Sequence, residues 1–177
     1  MQEKIREIYL DQQTIARRIA ELGAQITRDY AGKQPYMICI LKGSIVFYAD
    51  LIRAIDLPVH VDTMAVSSYG SSTISSGNVR VRQDLAEDIA GKDVIVVEDI
   101  IDSGHTLSAL TKMLRDRSPA SLRVVTFLDK PSRRKVEFKG DYVGFEIPDE
   151  FVVGYGLDYA QKYRNLPYLG ILELQED

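Results

Sequence analysis

Cysteine occurs once in the 177 residues, at Cys39, which excludes an internal disulfide and fits a reducing compartment. Histidine occurs twice, at His60 and His105, so a zinc site built from Cys and His has too few donors. No apolar run approaches bilayer length, and the N-terminal Met-Gln-Glu-Lys-Ile-Arg-Glu lacks the apolar core of a secretion signal. The expected location is the cytoplasm. A dense Lys/Arg block is also missing, and the formal net charge is −4. Neither nucleic acid nor a membrane surface is an expected partner, so any anionic ligand must be held by a local constellation.

What is present describes one globular domain, residues 1–177. Apolar residues make up 45% and charged residues 27%, enough to bury a core without staples. Asp11 reads as an N-cap, and Ile15, Ile19, Leu22, Ile26 and Tyr30 follow at helical spacing, closed by Gly32 and Pro35. Tyr36 to Leu41 reads as a buried strand, Lys42-Gly43-Ser44 as its exit turn, and Ile45 to Ile55 as a second helix. Further strands are expected at Val59–Val66, Val79–Arg82, Val94–Val97, Leu122–Leu128 and Tyr142–Ile147, with late strand signals at Phe151–Gly154 and Tyr168–Leu174. Leu107, Leu110 and Leu114 give the helix after Val97 one apolar side. Strands alternating with helices imply an α/β domain with a mostly parallel twisted sheet covered on both faces.

Ser67 to Asn78 is rich in Ser and Gly and carries little pattern. A loop of that length inside a compact domain is either functional or disordered.

The chemistry concentrates in Val94-Ile-Val-Val-Glu98-Asp99-Ile-Ile-Asp102-Ser103-Gly104-His105-Thr106-Leu107. A β-branched strand runs into two adjacent carboxylates and then into a small-residue turn opening a helix. Such a turn presents backbone N–H groups and the positive end of the helix dipole to an anion. Gly104 permits close backbone approach, and the hydroxyls of Ser103 and Thr106 can donate. That is a phosphate cradle, although the Walker A spacing is absent. Adjacent Glu98 and Asp99 point in different directions and can hold two ribose hydroxyls or approach a divalent cation. The plainer reading is that these acids and Ser103 cap the helix; three acids within five residues exceed what capping needs.

The Val-Glu-Asp-Ile-Ile-Asp-Ser-Gly run resembles the phosphoribosyl pyrophosphate (PRPP) signature of type I phosphoribosyltransferases, and the rest resembles their hypoxanthine (hypoxanthine-guanine) branch. The likeness extends from the Leu-Lys-Gly turn to the C-terminal Asp-Tyr and Tyr-Arg segments, with little contribution from the first thirty or so residues. It implies a parallel sheet with a small hood formed by residues around 1–15 and 148–177. It further implies that hypoxanthine, and guanine with it, is converted with PRPP to IMP or GMP and pyrophosphate in a Mg²⁺-dependent reaction.

The resemblance also implies roles for particular residues. Asp102, Ser103, Gly104, His105 and Thr106 wrap the 5′-phosphate, with His105 at a variable position offering its N–H. Glu98 and Asp99 address the ribose and the metal, and Asp102 serves the purine N7 as proton acceptor or relay. Lys42 and Gly43 bind pyrophosphate through a turn with a cis Leu41–Lys42 bond, and Arg164 assists. Ser68 and Tyr69 belong to a lid. Lys130 donates to the purine O6, Phe151 stacks on the base, the Val152 backbone reads its edge, and Asp158 is a second metal carboxylate beside the base. A homodimer or homotetramer is implied too.

By residue type alone, Lys130 reads as a solvated lysine and Phe151 as a core residue, whereas the family context reverses both. The Arg133-Arg134-Lys135 run reads as a solvated turn or a contact with a neighbouring subunit. His60 and Cys39 read as structural. Three other functions stay open: a xanthine-preferring or other type I phosphoribosyltransferase, a non-catalytic PRPP-sensing regulator, and a flavodoxin-type nucleotide module that leaves the acid cluster unexplained.

Overall fold

Alternation along the central strands divides the apolar side chains between two layers. The computed structural model, which describes residues 2–68 and 79–175, orders its elements as follows. Strand β1 (Gln2–Leu10), helix α1 (Gln12–Asp29), β2 (Tyr36–Leu41), α2 (Ile45–Ala54) and β3 (His60–Ser68) come first. After them come β4 (Val79–Gln83), β5 (Asp93–Ile101), α3 (His105–Arg115), β6 (Ser121–Asp129), β7 (Tyr142–Glu146), β8 (Val152–Val153) and β9 (Leu169–Gln175). The six-stranded sheet has the order β4-β3-β2-β5-β6-β7, parallel throughout except for β4 at one edge.

Because successive strand residues face opposite ways, Met37 and Cys39 of β2 and Ile95 and Val97 of β5 join one core with α1 and α2. Ile38, Ile40, Val94 and Val96 join the other core with α3. Helix α1 starts as the sequence indicates: the Thr14 N–H donates to Oδ1 of Asp11 at 2.7 Å. Its stripe of Ile15, Ile19, Leu22 and Ile26 is buried, each side chain contributing roughly 1.5–3 kcal/mol. Among the described residues no helix is long and apolar enough to cross a membrane.

A second, antiparallel sheet of order β1-β9-β8 forms the hood. Strand β1 carries no two-residue alternation that a reader of the sequence would notice. Register irregularities between Ile5 and Glu7 and between Ile8 and Leu10 break it, and Ile8 is 56% exposed. A further departure concerns β5, which runs on through Ile101, so Glu98 and Asp99 lie within the strand and not after it. The loop expected over Ser67 to Asn78 starts later than Ser67, because β3 runs on through Ser68; residues 69–78 lie outside the described residues.

Strand order reverses between β2 and β5: the chain proceeds from β2 outward to β3, and from β5 outward to β6 on the other side. In parallel α/β sheets a ligand crevice opens at such a switch point, beyond the carboxyl ends of the strands.

Candidate active site

The carboxyl end of β2 delivers Leu41 and Lys42, joined by a cis peptide bond, into the turn that starts α2. Lys42 is exposed, while Ser44 is buried and donates to the Ile40 carbonyl at 2.6 Å. Beside it, Glu98 and Asp99 continue the alternation of β5. Glu98 falls on the α3 side and lines a cavity of about 90 Å³ with Asp102, Ser103, Gly104 and Thr106. Asp99 falls on the other side and lines a cavity of about 250 Å³ with Lys130, Phe151, Val152 and Asp158. Burial pushes the Glu98 carboxyl well above its ordinary value, reinforced by the neighbouring Asp99 charge.

The loop from Asp102 to Thr106 opens α3 with Gly104 at φ 86° as N-cap. Among the described residues the acids make no hydrogen bond to the first turn, so the plainer reading fails for them and holds only for Ser103, whose Oγ faces the His105 N–H. A Cβ on Gly104 would come within 3.1 Å of Arg134 and Val136. The loop is braced from the turn after β6: Arg134 donates to the Asp102 carbonyl at 2.6 Å and the Lys135 N–H to the Ser103 carbonyl at 2.9 Å. Arg134 also pairs with Asp129, and Arg133 donates to Oδ1 of Asp102 at 3.1 Å. The Arg133-Arg134-Lys135 run thus braces the loop from Asp102 to Thr106, while Arg133 and Lys135 stay exposed as in a solvated turn. Within the loop the His105 N–H points at Oγ of Ser103, 3.4 Å away.

In the Asp99 cavity Lys130 is buried and its ammonium donates to the Glu150 carbonyl at 2.7 Å. Phe151 is 51% exposed, so it is not a core residue, and its ring meets Tyr159 edge-on. Val152 is buried behind it. Asp158 accepts from the Gln161 N–H and pairs with Arg164, both at 2.8 Å. Arg164 also donates to the Gly156 carbonyl and faces a separate cavity of about 640 Å³ beside Val46, Asp50 and Tyr155. Ser68 ends β3, and Tyr69 lies outside the described residues. Among the described residues no three His, Cys, Asp or Glu side chains gather into a ready-made metal cluster.

A family model, the phosphoribosyl transferase domain, matches residues 6–160. The chain belongs to the phosphoribosyl transferase family. It is similar to the hypoxanthine-guanine phosphoribosyltransferase of Bacillus subtilis, with 50% identity over 173 residues that cover 98% of this chain and 96% of the relative. Among solved structures, the hypoxanthine phosphoribosyltransferase of Staphylococcus aureus matches with a TM-score of 0.93 and 50% identity, over 96% of this chain and 92% of that one. The hypoxanthine-guanine phosphoribosyltransferase of Bacillus anthracis matches with a TM-score of 0.92 and 45% identity, over 98% and 100% of the two chains.

Within this phosphoribosyl transferase, sequence reasoning passed over Gly156. It has φ +100°, and a Cβ there would lie 2.1 Å from the Gly43 carbonyl oxygen. The hood thereby touches the turn after β2 directly. A glycine close to a strand and followed by Leu-Asp carries no signal of such a contact. Asp149 and Glu150, which engage Arg133 and Lys130, were likewise silent in the sequence.

Proposed function

We propose that this phosphoribosyl transferase joins hypoxanthine or guanine to the ribose of PRPP, forming IMP or GMP and releasing pyrophosphate. The observation that carries this reading is the adjacency of two cavities across one strand end. One is walled by the α3 turn, and the other combines an acid pair with an ammonium and an exposed aromatic ring.

The 5′-phosphate sits on the N-terminus of α3, taking hydrogen bonds from its N–H groups and from Ser103 and Thr106. Lys42 and Gly43 receive the pyrophosphate, and Arg164, held by Asp158 and the Gly156 carbonyl, assists. Glu98, whose carboxyl burial pushes upward, stands on the ribose side of the site with Asp102 and Ser103. The base lies against Phe151 with Val152 at its edge. Lys130 spends one donor on Glu150 and keeps others for O6. A fixed ammonium favours the 6-oxo acceptor and disfavours the amino group of adenine.

Asp99 and Asp158 line one cavity and offer hard carboxylate oxygens. That fits Mg²⁺, which takes one or two protein carboxylates and completes its shell from substrate and water. When bound, the metal offsets the pyrophosphate charge and improves it as a leaving group. The C1′–O bond to pyrophosphate breaks with oxocarbenium character while a purine nitrogen attacks, and Asp102 accepts the base proton at N7. The family resemblance assigns Ser68 and Tyr69 to a lid that keeps water from the ribosyl centre. Cys39, a buried free thiol, suits a reducing compartment, and we place the enzyme in the cytoplasm as a homodimer or homotetramer.

Calorimetry with Mg²⁺ and PRPP tests the donor site. Saturable heat that is lost in a Ser103→Ala/Thr106→Ala variant supports the reading, and absence of heat from the unaltered enzyme overturns it.

A further inference from the structure

The turn after β6 holds the phosphate loop at three points, and these do different jobs. Arg134 and Lys135 grip backbone carbonyls, of Asp102 and Ser103 respectively. Arg133 alone in that turn addresses the Asp102 carboxylate, through Nε to Oδ1 at 3.1 Å. Its Nη1 reaches Oδ2 of Asp149 at 3.5 Å. Asp149 immediately precedes Glu150, whose carbonyl holds the Lys130 ammonium, and Phe151, whose ring borders the Asp99 cavity. One guanidinium thus spans from the phosphate loop to the segment that borders the base pocket. Among the described residues, Oδ2 of Asp102 receives no protein donor.

We propose that Arg133 is a positioning residue: it fixes the Asp102 carboxylate by occupying one oxygen, leaves the other for the base, and ties the phosphate loop to the base-recognition segment. This rests on the reading of Asp102 as proton acceptor. A planar fork suits the task because it can engage two carboxylates from one fixed plane, which a lysine ammonium cannot. Arg133 and Asp102 are each about half exposed, at 52% and 49%, so the ion pair itself adds little stability. Its consequence lies in orientation. The loop backbone stays in place without it, because Arg134 and Lys135 hold that backbone independently.

The test is steady-state kinetics on Arg133→Gln, Arg133→Lys, Asp102→Asn and the double variant Arg133→Gln/Asp102→Asn. Arg133→Gln should lower kcat with hypoxanthine by about fivefold, the scale of one exposed ion pair, with KM for PRPP and the unfolding midpoint unchanged. Arg133→Lys should fall between it and the unaltered enzyme. In the Asp102→Asn background the Arg133→Gln change should have no further effect, because Arg133 acts through that carboxylate. An undiminished effect in that background, or a loss that appears in KM for PRPP or in stability, overturns the proposal. If Asp102→Asn is slow while Arg133→Gln matches the unaltered enzyme, the bridge fails and the acceptor assignment stands. If Asp102→Asn turns over normally, the acceptor assignment itself fails and takes the bridge with it.

Discussion

A Cβ placed on Gly43 would lie 1.6 Å from Oδ2 of Asp99, closer than any two unbonded atoms can approach. The turn after β2 and the acid of β5 are therefore fitted to each other across the switch point, and only a residue without a side chain permits it. Gly43→Ala must displace either the turn or the Asp99 carboxylate. Since misplacement by about 1 Å can cost on the order of 100-fold, kcat/KM should fall by about that factor. The unfolding midpoint should move little, because the atoms in the way are the far end of the Asp99 side chain. Initial rates and thermal unfolding of the purified variant check both.

Asp102→Asn removes the proposed proton acceptor but should leave the loop backbone, which Arg134 and Lys135 hold, unchanged. Turnover should fall by about 100- to 10,000-fold, the usual span for loss of a general base. Calorimetric affinity for Mg²⁺ and PRPP should stay within experimental error of the unaltered protein. Unchanged turnover would remove Asp102 from the mechanism.

Lys130→Ala deletes the proposed donor to O6 and orphans the Glu150 carbonyl that accepts from it. KM for hypoxanthine should rise by a factor corresponding to about 1–3 kcal/mol, with KM for PRPP little altered. Equal rises for both substrates would show that Lys130 supports the pocket as a whole and does not read the base.

The hood carries a pH dependence of its own. The Tyr163 hydroxyl, at 2.8 Å, and the Lys162 ammonium together hold the Glu3 carboxyl below its ordinary value of 4.5. A carboxyl with a lowered folded-state value stabilises above the unfolded value, and that stabilisation disappears as pH falls through the folded one. Glu3→Gln should therefore lower hydrogen-exchange protection of residues 159–164 at pH 7. The difference from the unaltered protein should shrink as pH drops below 4.5.

Much of this was legible in the residues. The stripe from Ile15 to Ile26 and the cap at Asp11 specify α1, and the run from Val94 to Thr106 marks a strand, a turn and the start of a helix, because those features are local. The hood was not legible in the same way. Strand β1 breaks its alternation at two irregularities, and its partner β9 lies more than 150 residues away in the chain. Gly156 and Arg133 act through contacts that only the folded chain creates. Glu98 and Asp99 were legible as a pair but not as occupants of separate cavities, since that follows from β5 continuing to Ile101.

The most direct test is an initial-rate assay with PRPP, Mg²⁺ and one base at a time: hypoxanthine, guanine, xanthine and adenine. Hypoxanthine and guanine should each yield one nucleotide per pyrophosphate released, with adenine giving neither. Turnover of adenine at a rate comparable to hypoxanthine, or no nucleotide from any of the four, would contradict the account.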